Sequence, residues 1–541
     1  MIILRRSAAE TRSEIAIRVM LETLGVASLK PLDPGALNLN TSTPIYGFST
    51  EEQGDPTARL VPVDSRPADF TFSSKEKDFC GPLTGLTVRS EEDMDCWRLV
   101  SQSKPSDIVR PLITVDSASV LVCIKQKDVN LFMLFTSRLA DPDQIVETNL
   151  DIRTCLLSLA APMVVLKHLT RGVGWSASNA YANLMIDDPP LALQYGHIDF
   201  QKLNDLAATY KAAITLAYIP FNYRRGNDET AKFFRGAAGR FAICIHGCDH
   251  TKSEFGTTDR ARISTLARMA SRRMASFSER TGIPHTKIMV FPQGIFSSQA
   301  LDALKQHDFN AAVNTELKDT SGEKRVTIKD MLQPAITCHG SLPLFLRRKI
   351  SDGIANFAFD LFLDKPCLIV THHDDFSSDM AKVRQLLEEI NRLPNPPEWK
   401  PLEDIVARTA LSRTVGKNIT ELKVYSRIAN LENIPCVPSE NDLRVIKNEI
   451  YPEMIKRVLV GQRETEWRRE EGSIIVDVGK PSARSRLTVL YHQDEFPEIP
   501  ALPIKYRIAT WCRRRLCEFR DNYVSKSPAL QNMVRFAKKF L

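Results

Sequence analysis

A rhythm between residues 180 and 395 constrains this chain more than any other feature. Short apolar, β-prone runs recur there: ANLMI (182–186), AITLAYI (213–219), FAICI (241–245), KIMVF (287–291), FNAAV (309–313), PAITC (334–338) and PCLIVT (366–371). Several of the intervals have helical periodicity. In 258–281, Ile263, Leu266, Ala267, Ala270, Met274 and Phe277 fall on one face; in 378–393, Met380, Val383, Leu387, Ile390 and Leu393 do the same before Pro394 ends the pattern. Runs that are apolar throughout, rather than alternating, mark parallel strands covered on both faces. With helices between them they read as βα units, and seven or eight such units predict an α/β fold, a small or incomplete (β/α) barrel.

The flanks differ. At 541 residues the chain exceeds what one core organises, and 43% hydrophobic with 25% charged residues is ordinary globular composition. Residues 1–170 read as an N-terminal mixed α/β region: MIIL as a strand, a helix with Ile17, Met20, Leu21 and Leu24 on one face and Gly25 as its stop, a weakly periodic stretch over 30–75, then β-like ASVLVCI (118–124) and NLFMLF (130–135). The deepest apolar stretch, LLSLAAPMVVL (156–166), reads as a buried element rather than a membrane span. After the Pro-rich NRLPNPPEW (391–399), residues 400–500 read as a small β-rich accessory region with SIIVDVG (473–479) and SRLTVLYH (485–492). EFPEIPALP (495–503) reads as a linker.

The net charge of +7 is local, because residues 505–541 hold ten Lys/Arg against Glu518 and Asp521. That tail reads as a basic amphipathic helix with Ile508, Cys512, Leu516, Phe519 and Tyr523 on one face, suited to an anionic membrane surface or a partner. Nothing else resembles a nucleic-acid module, so nucleic acid is not an expected partner. Eleven scattered cysteines and an N-terminal apolar run too short for a signal peptide give the expectation of a cytosol-like compartment, peripheral at the inner membrane surface.

Chemistry belongs at the C-terminal tips of barrel strands. Asp187–Asp188–Pro189–Pro190 follows ANLMI; His246, Asp249 and His250 follow FAICI; Pro292–Gln293–Gly294 follows KIMVF; His372–His373–Asp374–Asp375 follows the last run. Two imidazoles and a carboxylate can hold a divalent cation with a coordination position left open for water. A second carboxylate can take a proton, and a histidine across the site can give one.

In this order LMIDDPP, HGCDH, FPQG and CLIVTHH resemble the motifs of the polysaccharide deacetylase (NodB-homology) superfamily, carbohydrate esterase family four. The resemblance spans about 180–395. It implies a distorted seven-stranded (β/α) barrel, a divalent metal with zinc as the first expectation, and removal of acetyl groups from a carbohydrate. It makes Asp187 the base, Asp188, His246 and His250 the metal ligands, and His372 the acid, with His373 close enough to exchange with it. Pro292 and Gly294 match the loop that shapes the substrate groove. The basic residue that the family places before that Pro to orient the base is replaced by Val290 or Phe291, and Arg347, in PLFLRRK, could substitute from another tip. Tyr223 and Arg347 complete the set of candidate substrate-side residues.

Each assignment has a plainer counterpart: paired structural histidines at 246 and 250, a solvated turn at 187–188, core packing instead of a thiolate zinc site for Cys244 and, less clearly, Cys248, and ordinary caps instead of carboxylates that orient the histidines for Glu254 and Asp375. Two other functions fit the pattern, a catalytically silent glycan-binding or scaffold barrel and a C–N amidohydrolase acting on a small molecule.

Overall fold

The computed structural model describes residues 12–26, 46–47, 60–63, 67–92, 96–99, 108–126, 129–136, 139–416, 418–431, 441–480, 485–493 and 502–537. At its centre is a parallel sheet built from β1 (Tyr181–Asp187), β2 (Ile214–Tyr218), β3 (Phe241–His246), β4 (Ile288–Val290), β5 (Ala311–Asn314), β6 (Leu344–Leu346), β7 (Arg348–Lys349) and β8 (Cys367–Thr371), in the order β6-β5-β4-β3-β2-β1-β8-β7. The first three strands, β5 and β8 are buried along almost their whole length, which is why they read as unbroken apolar runs.

Only Arg347 separates β6 from β7, yet β6 pairs with β5 while β7 pairs with β8. The sheet therefore comes nearly back on itself, as a barrel does, and Arg347 sits at the seam. PAITC (334–338), expected to be a strand, is not one: Ile336 forms an isolated antiparallel bridge to Leu344, and Leu344–Leu346 takes the place beside β5.

Helices α1 (Phe200–Tyr210), α2 (Asp228–Gly236), α3 (Arg260–Thr281), α4 (Ser298–Gln306), α5 (Ile354–Phe362) and α6 (Ser377–Asn391) alternate with the strands. The first four start at Asp199, Asn227, Asp259 and Ser297, whose side chains accept hydrogen bonds from first-turn amides. The apolar stripes of α3 and α6 are buried as their spacing requires.

N-terminal to this lies a largely antiparallel sheet that includes Ala68–Phe72, Ile108–Val115, Ala118–Gln126 and Val129–Leu134. The helix expected around Ile17–Leu24 spans Arg12–Thr23; MIIL lies outside the described residues. Ile152–Leu169 is the one described helical stretch long and apolar enough to cross a membrane, but 72% of it is buried inside the protein as a core element.

C-terminal to the barrel, a five-stranded and a four-stranded sheet share one apolar core that includes Leu422, Val445, Val458, Ile474 and Val489. A buried cluster ties this region to the barrel. Glu449 pairs with Lys305 of α4 and with Lys447 (3.1 Å), and accepts from the Tyr491 hydroxyl at 2.7 Å. Near the C-terminus, α7 (Ile504–Phe519) continues through a π-helical turn at Arg520–Val524 and is followed by a last described helix, Pro528–Ala537.

Candidate metal centre and active site

The strand tips bring Asp188, His246 and His250 together. One donor atom from each lies within 4.8 Å of the other two. His246 ends β3, and its Nδ1 lies 3.0 Å from the Val290 carbonyl, so Nδ1–H donates there and Nε2 keeps its lone pair for the site. Nε2 of His246 is 3.5 Å from Asp188 Oδ1, and Nε2 of His250 is 3.2 Å from the same oxygen. That oxygen is buried and has no hydrogen-bond partner. Three donors facing a common point without satisfying one another, one of them an orphaned carboxylate oxygen, fit a bound divalent cation.

The loop holding these ligands is fixed by one carboxylate. Glu254 accepts from the backbone amides of Cys248 (2.7 Å), Asp249 (3.2 Å), His250 (3.1 Å) and Thr251 (3.2 Å). Burial raises its pKa, and the amides of Cys248, Thr251 and Asp249 work against that rise. Glu254 thus organises the loop backbone rather than an imidazole ring. Gly247 lies at φ +61° in the same loop, where a Cβ would stand 2.1 Å from Glu254 and 2.4 Å from Pro292. Pro292 therefore packs on the histidine loop, while Asn314 donates to the Gly294 carbonyl at 2.9 Å. Cys248 lies outside the ligand trio; its thiol is buried beside Arg273 and its pKa is raised well above the usual value, chiefly by burial.

Asp187 ends β1 and is 5% exposed. Arg347, 3% exposed, grips it with two parallel hydrogen bonds of 2.7 and 2.6 Å from the barrel seam. Arg347 thus spends its fork on Asp187. Burial disfavours the Asp187 carboxylate, but Arg347, His246 and His372 outweigh it and hold its pKa well below the ordinary range. Asp188, at φ +73°, turns the other way toward the histidines. Its pKa is lowered because His250, His246 and Arg514 outweigh burial. The pKa of His250 falls to about 4, first through burial and with help from His246 and Arg514, so at neutral pH its imidazole is neutral, as a ligand must be.

The two histidines after β8 part company. Nε2 of His372 lies 4.0 Å from Asp187, and its side chain is 56% exposed. His373 is buried between Asp374 and Asp521, 3.2 Å from each, and packs on Tyr195 and His197. Asp375 caps the turn, accepting from the His372 amide at 2.9 Å.

The basic tail is where sequence reasoning fell short. Its helix lies over the mouth of the barrel with its polar side inward. Tyr506 donates to Asp249 (2.9 Å), Arg513 donates to the Asp249 carbonyl (2.9 Å), Glu518 pairs with Arg225, and Asp521 accepts from Tyr195. Asn522 accepts from the Gly196 amide at 2.8 Å. Arg514 is 5% exposed, whereas Leu516 and Tyr523 are 68% and 61% exposed. The aspartate of HGCDH was a visible cue that this loop needed a second partner.

A near-closed parallel α/β sheet with a two-histidine, one-aspartate constellation at its strand tips defines the class of protein. No protein-family model and no curated protein matches the sequence. The solved structures that the chain resembles are deacetylases, esterases and pseudoenzymes of carbohydrate esterase family four. A candidate polysaccharide deacetylase from Mycobacterium smegmatis aligns at 12% identity over 42% of this chain and 88% of that one, with a TM-score of 0.30. A family 4 carbohydrate esterase from Streptomyces lividans in complex with acetate aligns at 13% over 39% and 85%, TM-score 0.25. A family 4 pseudoenzyme from Bacillus anthracis aligns at 9% over 42% and 68%, TM-score 0.25. Likeness at this level leaves the functional reading to rest on the site's own geometry.

Proposed function

We propose that the chain is a metal-assisted hydrolase that removes acetyl groups from a carbohydrate. The observation that carries this reading is the convergence of Asp188, His246 and His250 beside a second, separately held carboxylate, Asp187. A divalent cation, zinc being the first candidate, would be held by the trio and would acidify a water and polarise the acyl oxygen. Asp187 would accept the proton of the attacking water. Arg347 keeps it ionised. His372, exposed on the other side of Asp187, would donate a proton to the departing amine or alcohol. His373, locked between two carboxylates, would position the segment that follows β8 rather than move protons.

The outward face of the helical tail, apolar at Leu516 and Phe519 with Arg520 beside them, suits an anionic membrane surface. That placement would bring the mouth beside a lipid-linked or nascent glycan.

The test is acetate release from tri-N-acetylchitotriose and from peracetylated xylobiose by the zinc-supplied protein. The expected result is release that falls about 100-fold or more in His372→Ala and in Asp187→Asn, with metal content unchanged in His372→Ala. Full activity in both variants would refute the assigned roles.

A further inference from the structure

Between α7 and the tips of β2 and β3 lies a cleft of about 760 Å³. Its wall on the barrel side includes Tyr223, Arg224 and Asp249; its wall on the helix side includes Arg507, Trp511 and Arg514. The acids lining it are already engaged: Asp249 by Arg273, and Glu518 by Arg225 and Arg515. Among the described residues, Arg224 and Arg507 have no carboxylate within ion-pair distance, and Arg224 rests over the Tyr223 ring. The cleft is therefore cationic after every internal pairing is counted.

Arg514 is the decisive group. It is 5% exposed, its Nε has no hydrogen-bond partner, and no hydrogen bond or ion pair joins it to any described residue. It lines the cleft together with Asp249, the chain neighbour of His250, so the cleft opens beside the loop that carries the candidate metal ligands. An arginine buried to this degree, with an unpartnered Nε and no counter-charge, is costly unless an anion enters the cleft beside it. The rings of Tyr223, Tyr506 and Trp511 line the same cleft, with Arg224 over the first and Arg515 over the last.

We propose that this cleft binds an anionic saccharide, a sugar carrying a carboxylate or a phosphate, with Arg514 as its buried anchor and Arg224 and Arg507 as outer contacts. This rests on the hydrolase reading and gives its substrate a chemical class. The basic helix is then a wall of the binding site and selects charged glycans over neutral ones.

The test is calorimetric titration of the full-length, zinc-supplied chain with three probes: trigalacturonate, N-acetylglucosamine 1-phosphate and neutral tri-N-acetylchitotriose. A charge-assisted contact predicts that at least one anionic probe binds about tenfold or more tightly than the neutral one. Which of the two binds tells carboxylate from phosphate. Arg514→Ala should bring the ratio to within about twofold, and Arg514→Lys should recover part of it. Arg224→Ala, on the barrel side, should lower it several-fold and serves if the Arg514 variants fail to fold. Equal affinity for neutral and anionic probes in the wild type, or an unchanged ratio in folded Arg514→Ala, would overturn the proposal. Charge discrimination in a protein that takes up no metal would overturn the hydrolase reading and leave this site standing; metal uptake with acetate release but no discrimination would do the reverse.

Discussion

Helices α3 and α7 carry similar sequence signals and are used in opposite ways. Both have an apolar stripe at helical spacing with arginines around it. In α3 the stripe is buried, with Phe277 fully enclosed and its ring 5.1 Å from that of Tyr218. In α7 the stripe faces out, and Thr510 and Arg514 are the buried residues. The difference lies in what each helix meets. Against the outside of a parallel sheet an apolar stripe removes hydrocarbon from water, at about 25 cal/mol per Å². Over the mouth of a barrel the available partners are Asp249, Tyr195, Arg225 and His373, and hydrogen bonds and ion pairs choose the face instead.

The largest expected effect that follows is a contrast in stability. Phe277→Ala should destabilise the protein by about 3–5 kcal/mol in urea unfolding, whereas Leu516→Ala should change it by less than about 0.5 kcal/mol. Comparable losses would mean that α7 has its apolar side inward after all. At the barrel seam, Arg347→Met leaves the Asp187 carboxylate buried without its counter-charge and should cost about 3–5 kcal/mol. Asp187→Asn in the same background should recover much of that loss, which a double-mutant cycle measures directly.

His250 sharpens the comparison through pH. Its folded-state pKa is depressed from 6.5 to about 4, so between those values the unfolded chain binds the proton and the folded chain does not. Stability of the metal-free protein should therefore fall as pH drops through that window, by at most about 3 kcal/mol. His250→Asn should flatten the slope; an unchanged slope would assign it to other groups. The smallest effect concerns the outward face of α7. Leu516→Glu should leave stability within about 0.5 kcal/mol but reduce cosedimentation with phosphatidylserine vesicles; unchanged cosedimentation would remove the membrane from the account.

The sequence showed the barrel because its strands are buried on both faces, a condition that leaves continuous apolar runs at 182–186, 213–219 and 241–245. It misplaced the strand before Arg347 because PAITC and PLFL are equally short and apolar, and only pairing with β5 separates them. The trio at Asp188, His246 and His250 was legible from motif order at strand ends. The split between His372 and His373 was not, since it depends on Asp521, almost 150 residues away in the sequence. The inward face of the strap left no periodic trace either, because Tyr506, Arg513 and Asp521 are recruited one by one by polar groups on other elements.

The measurement that tests the central claim most directly is metal content, by elemental analysis of the purified wild type beside Asp188→Ala and His246→Ala. The account predicts about one divalent ion per wild-type chain and its loss from both folded variants. A wild-type protein that takes up no metal when supplied with Zn²⁺ or Co²⁺, or variants that bind it as well as the wild type, would contradict it.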